Sequence, residues 1–230
     1  MTRAYVPAAV AVFLGGMLMS ATLNGADFGH LPWYVSRASG LVAFVLLSLS
    51  VILGLTISTK SPKPVIPRGL AFDLHQFLSI LTLTMVGAHV GILMFDGFMP
   101  FSPLAILLPF AAPWKPFVTG LGTITAWLLV AVTASFWLRK RIGQRAWRRF
   151  HYVSFAAYLL SLVHGFTAGP DAALPLVHWT YVLSAATVAG LLTYRIGFRS
   201  GHRTPAVSLP PRSGAAARDA ARLGTRPASR

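Results

Sequence analysis

Between Arg37 and Lys60 the chain carries no charged side chain, and most residues there are Leu, Val, Ala, Ile or Ser. Coiled as a helix, such a stretch is long enough to cross the roughly 30 Å hydrocarbon core of a bilayer. Few features restrict a fold so sharply, because in lipid every backbone N–H and C=O must be satisfied within the protein. The pattern recurs. Six apolar spans are read, at about 5–23, 33–57, 70–95, 116–138, 147–168 and 174–197. The fold class expected is all-α, an integral membrane bundle of six transmembrane helices.

Composition agrees. Only 11% of the 230 residues are charged and 55% are hydrophobic, whereas a soluble domain carries about 25% charged residues. There is no cysteine, which removes disulfides, iron–sulfur clusters, thiolate zinc sites and covalent c-type haem. Any cofactor must be held by histidine, by oxygen ligands or by shape. A net charge of +15 does not point to nucleic acid here, because the basic residues sit between the apolar spans and in the tail.

All of the 20 lysines and arginines except Arg37 and Lys115 fall in the N-terminus, the 58–69 and 139–149 connections, or the segment from Arg195 onward. The positive-inside rule therefore places both termini in the cytoplasm, in a multi-pass protein of the cell (cytoplasmic) membrane surrounded by lipid. Trp33, Tyr34, Trp114, Trp137, Trp147 and Trp179 stand near span ends, as interfacial aromatics do. The stretch 98–114 is apolar but contains four prolines, so it reads as an interfacial or re-entrant segment rather than a seventh span. The first span also has the basic start and apolar middle of a signal peptide. Two domains result: a transmembrane domain, 1–199, and a basic tail, 200–230, too poor in bulky apolar residues to form a core and expected to be disordered near anionic headgroups.

Five of the seven histidines fall within spans, where an ionisable side chain is a functional hypothesis by default. His75 and His89 lie on the third span, His151 and His164 on the fifth. Both spans start at the cytoplasmic side. His75 and His151 are thus near the inner face, and His89 and His164 about 20 Å further along at 1.5 Å per residue. The result is two tiers of histidine pairs. Alone, each histidine would more simply hydrogen-bond a neighbouring helix. Four at matched depths suggest more. A proton relay usually enlists carboxylates, and Asp73 is the one acid plainly within a span. Two nitrogen ligands without cysteine or carboxylate make a poor zinc site. Two imidazoles facing each other suit a non-covalent b-type haem. The spacing of thirteen between His151 and His164 misses the starting helix face by about 140°, which calls for a helix distortion or for rotated haems; Gly165 and Gly169 offer a place for the distortion. His178 and His30 suit surface positions, and Met17, Met19, Met85, Met94 and Met99 suit packing. Ser39, Gly40, Gly87 and Gly91 suit close helix approach or a porphyrin face.

The chain resembles the ferric reductase-like transmembrane domain, shared by ferric reductases, the membrane part of NADPH oxidases, and the bacterial haem-binding subunit of a periplasmic methionine sulfoxide reductase. The resemblance covers roughly 30–170 and rests on "WYVSRASGLVAFVLLSLSVILGL", "LHQF", "AHV", "PFSPLAILLPF", "RRFHY" and "LVHG". It implies two bis-histidine b-type haems, the inner held by His75 and His151 and the outer by His89 and His164, with Arg37 near an outer haem propionate. No catalytic residue is implied.

Ferric reductases and NADPH oxidases continue into cytoplasmic flavin- and nicotinamide-binding domains. Here some 30 residues follow the last span, without a glycine-rich fingerprint, so no FAD or NAD(P) site is expected. The function expected is transmembrane electron transfer, as a component that needs a separate cytoplasmic flavoprotein or quinol as donor and an extracytoplasmic acceptor or partner reductase. The alternatives are a membrane anchor or assembly subunit for an extracytoplasmic redox partner, and a histidine-based proton or metal transporter.

Overall fold

The computed structural model describes residues 31–59, 66–96 and 101–201. The first expected span, His30, His202, Met17, Met19, Met99 and the basic tail from 202 onward lie outside the described residues. The chain divides into two units, Met1–Arg195 and Ile196–Arg230. Of the second, only the helical residues 196–201 are described.

Among the described residues every regular element is helical. The uncharged stretch forms α1, Leu31–Thr59. Its serines do not break it, because Ser39 and Ser48 turn their hydroxyls onto the carbonyls of Val35 and Phe44, at 2.7 and 2.8 Å. This back-bonding satisfies a polar group that lipid cannot. Helix α2, Arg68–Ile92, ends in a 3-10 turn, Leu93–Phe95. The proline-rich stretch yields only a five-residue helix, α3, Pro103–Leu107, capped by Ser102, whose hydroxyl accepts from Ala105 N–H at 3.1 Å. It is too short to be a further span, as its prolines led one to expect. Phe110 and Lys115 take positive φ on either side of the turn into α4, Pro116–Ile142. Gly143, at φ 82°, ends α4, where a side chain would be strained.

The expected 147–168 span is two helices: α5, Gln144–His151, and α6, Val153–Ala168. The break is one residue, Tyr152, where the N–H groups of Tyr152 and Phe155 bond three residues back, to Arg149 and Tyr152, instead of four. A helix distortion, one of the two answers to the thirteen-residue spacing, is thus present beside His151 and not at Gly165, through which α6 runs unbroken. Gly165 serves a different purpose: the Tyr181 ring of α7, Pro175–Gly201, rests on it. A 3-10 turn, Pro170–Ala173, joins α6 to α7.

Four helical stretches, Leu31–Thr59, Arg68–Phe95, Pro116–Ile142 and Pro175–Gly197, are long and apolar enough to cross a membrane. Helix α1 packs on α2, α4 packs on α6, and the two pairs meet where α1 touches α6 and α2 touches α4. Phe44, Leu47, Val51 and Leu55, spaced three and four apart on α1, bury one face against Leu129, Ala157, Tyr158, Val177, Tyr181 and Val188. Outward, Phe117, Trp137, Leu159, Leu176 and Leu183 are exposed, as lipid-facing positions would be. Between the histidine tiers a polar thread crosses this apolar core: Tyr158 Oη to Ser184 Oγ at 2.7 Å, and Ser184 Oγ to Ser48 Oγ at 2.8 Å.

Candidate functional site

The bundle brings the four histidines together in the two pairs expected of them. The rings of His75 and His151 are 6.1 Å apart between centres, and those of His89 and His164 are 6.3 Å apart. The rings of each pair lie at 72° and 75° to one another. A histidine nitrogen holds a metal ion at about 2 Å, so two imidazoles on opposite sides of one ion have ring centres roughly 6 Å apart.

Three of the four are locked by one local device. His75 Nδ1 donates to the Ser50 carbonyl at 2.8 Å, His89 Nδ1 to the Ser36 carbonyl at 2.7 Å, and His164 Nδ1 to the Val118 carbonyl at 2.8 Å. Each accepting residue is followed four positions later by glycine: Gly54, Gly40 and Gly122. The spacing has a physical cause. A helical side chain leans back over the preceding turn and would cover the carbonyl four residues before it. Glycine leaves that carbonyl's second lone pair open. A methyl group at Gly122 would lie 2.7 Å from His164 Cε1, one at Gly40 2.9 Å from His89 Nδ1, and one at Gly54 3.3 Å from His75 Cε1. With Nδ1 carrying the proton, Nε2 keeps its lone pair, the arrangement found in metal-ligating histidines. The Ser36 and Ser50 hydroxyls lie 3.2 and 3.1 Å from the same Nδ1 atoms.

His151 is different. Its Nδ1 is buried without a hydrogen-bond partner, and its ring lies 5.2 Å from that of Trp147. A cavity opens at this tier, and its walls include His75, His151, Ser79, Thr82, Arg148 and Arg195. Among the described residues no group of three or more His, Cys, Asp or Glu side chains gathers where it could hold an ion. Each pair would thus supply two imidazole ligands and, among the described residues, no third protein ligand. The donor set and ring separations fit a bis-histidine haem.

Arg37 forms an ion pair with Asp171 and lies over the Trp33 ring, 3.9 Å from its centre. Asp171, in the turn before α7, was not singled out by sequence reasoning. Of the small residues singled out, Gly40 meets His89, whereas Gly87 and Gly91 meet nothing within 4 Å. Gly54 and Gly122 were missed, although a Ser-x-x-x-Gly spacing repeats at 36–40 and 50–54. His178 lies outside both pairs, its ring 5.5 Å from that of Phe166.

Compared with known proteins, residues 39–162 match the family described as Ferric reductase like transmembrane component. No curated protein and no solved structure matches the chain.

Proposed function

The chain belongs to the ferric reductase like transmembrane component family and is a multi-pass membrane protein, and on that premise we propose that it carries electrons across the membrane as a b-type cytochrome. The observation that supports this most is the double pairing: one pair of helical stretches, α2 with α5–α6, presents two facing imidazole pairs at near-equal ring separations. His75 and His151 would hold the inner haem, and His89 and His164 the outer one. Haem iron, when bound, would supply the reversible one-electron chemistry. The protein's residues supply position. Carbonyls of α1 and α4 fix the tautomer and orientation of three ligands.

Arg37 would lie near an outer propionate, as a guanidinium suited to a carboxylate partner. By the positive-inside rule the inner side would be the one bearing the Arg139–Arg149 cluster, and with the six spans read from the sequence both termini would lie in the cytoplasm. Electrons would enter there from a separate flavoprotein or quinol and leave toward an extracytoplasmic acceptor or partner reductase. In this reading the chain is an electron-transfer component of a larger oxidoreductase system.

The test is the absorption spectrum of the purified protein, oxidised and dithionite-reduced, with haem counted per chain. Two low-spin b-type haems are expected. One haem would reduce the reading to a single relay. A protein that takes up none, even when supplied with hemin, would overturn it in favour of an anchoring subunit or a histidine-based transporter.

A further inference from the structure

We propose that the two sites are electronically unequal, the inner pair, His75 with His151, favouring the reduced state more than the outer pair, His89 with His164. The inference rests on the haem reading above and follows from two independent features of the chain. The first is the hydrogen bonding of the ligands. An imidazole that gives its Nδ1 proton to a carbonyl becomes a more basic ligand at Nε2. More basic axial ligands favour ferric iron and lower the reduction potential. Both outer ligands have such a carbonyl, Ser36 for His89 and Val118 for His164. Inside, only His75 has one.

The reason for the missing bond can be read from α4. Fourteen residues after Val118 and Gly122, close to four helical turns, come Val132 and Phe136. Position 136 is where a glycine would have to stand for His151 to reach a carbonyl of α4. Its phenyl ring instead packs against Trp147 at 6.4 Å between centres. The Val132 carbonyl is also taken by the Ser135 hydroxyl, at 2.6 Å.

The second feature is charge. Arg148 and Arg195 line the inner cavity together with both inner histidines. Arg139 stands 5.5 Å from the centre of the Trp147 ring, on which His151 rests. At the outer end Arg37 is neutralised by Asp171. That leaves Lys115, its Nζ on the Thr167 carbonyl at 3.3 Å, as the one other Lys or Arg on that side among the described residues, against those three arginines at the inner end. Positive charge nearby stabilises a site that gains an electron. Both features act in one direction. The electron therefore rests on the inner tier, and passes outward when an acceptor drains the outer one or when a membrane potential, negative inside, draws it across. The arrangement holds charge while no acceptor is bound.

Potentiometric titration of the purified haem-loaded protein, followed by visible absorption, tests this. Two separate midpoints are expected. The His164→Ala variant should keep the higher one and His151→Ala the lower one. Arg148→Gln and Arg195→Gln, which leave all four ligands in place, should each shift the higher midpoint downward and leave the lower where it was. A single shared midpoint overturns the proposal, as does a His164→Ala protein that keeps the lower one. So does a higher midpoint unmoved in both arginine variants. A preparation without haem would instead overturn the haem reading itself, whereas two haems at one potential would leave that reading standing.

Discussion

His151 and His164 leave the same stretch of chain thirteen residues apart, yet only His164 finds a backbone carbonyl, that of Val118 on α4. On the other side of the bundle His75 and His89 sit fourteen residues apart, and both find one. The difference lies in the partner helix. α1 repeats serine and glycine at a fourteen-residue interval, 36 and 40 then 50 and 54, whereas α4 has Gly122 followed at that interval by Phe136. One glycine in the right place decides whether a backbone acceptor is open to an imidazole. Ligand position and ligand support are thus set by different helices, and each can be disturbed without the other.

Removing a ligand should have the largest effect. His89→Ala or His164→Ala should lower haem from two per chain to one, with loss of the outer site. His75→Ala or His151→Ala should remove the inner one. Full haem content in all four variants, measured by pyridine haemochrome, would sink the assignment.

Removing the support should come next, graded by how closely each glycine meets its ring. Gly122→Ala and Gly40→Ala place a methyl group within 3 Å of an imidazole already fixed by its carbonyl, so the ring cannot give way without losing that bond. Overpacking of this kind costs about 1–3 kcal/mol. Outer haem should be retained poorly in both. Gly54→Ala, whose methyl group would meet His75 Cε1 at 3.3 Å, a tight contact that a shift of a few tenths of an ångström relieves, should hold most of its inner haem. Gly87→Ala and Gly190→Ala meet nothing within 4 Å and should behave as wild type. Equal haem retention across the series would show that the glycines are there for helix packing alone.

The spans were legible because lipid imposes length and apolarity on any helix that crosses it, and the expected boundaries fall within a few residues of α1, α2, α4 and α7. The pairing of the histidines was legible from their depth, since equal depth on two helices running the same way leaves few other arrangements. What supports them was not. A backbone carbonyl has no letter in the sequence, and Val118 carries no sign of its use. Nor does anything at Tyr152 announce the break between α5 and α6. The residues that looked able to yield, Gly165 and Gly169, are a pad for Tyr181 and the end of α6. The Arg37–Asp171 pair joins residues far apart in sequence, which spacing cannot reveal.

Between the tiers, Tyr158→Phe should be milder. It removes one neutral hydrogen bond while Ser184 keeps Ser48 as its partner. The loss should be about 1 kcal/mol, seen as a small fall in thermal stability with both haems retained. Haem loss in this variant would mean that the thread sets the separation of the tiers as well as tying α6 to α7.

The smallest effect should come from Asp171→Asn, and it bears on what Arg37 is for. The pair is partly exposed, so its contribution to stability should be at most about 1 kcal/mol, and Trp33 still holds the guanidinium from its other side. If Arg37 serves a propionate, freeing it from Asp171 should leave outer haem in place or bind it more firmly, while Arg37→Gln should weaken it. If the arginine exists only to tie α1 to the turn before α7, both variants should lose the same small amount of stability, and neither should change haem retention. Comparing the two substitutions therefore separates a cofactor contact from a structural ion pair, using thermal unfolding and haem content measured on the same preparations.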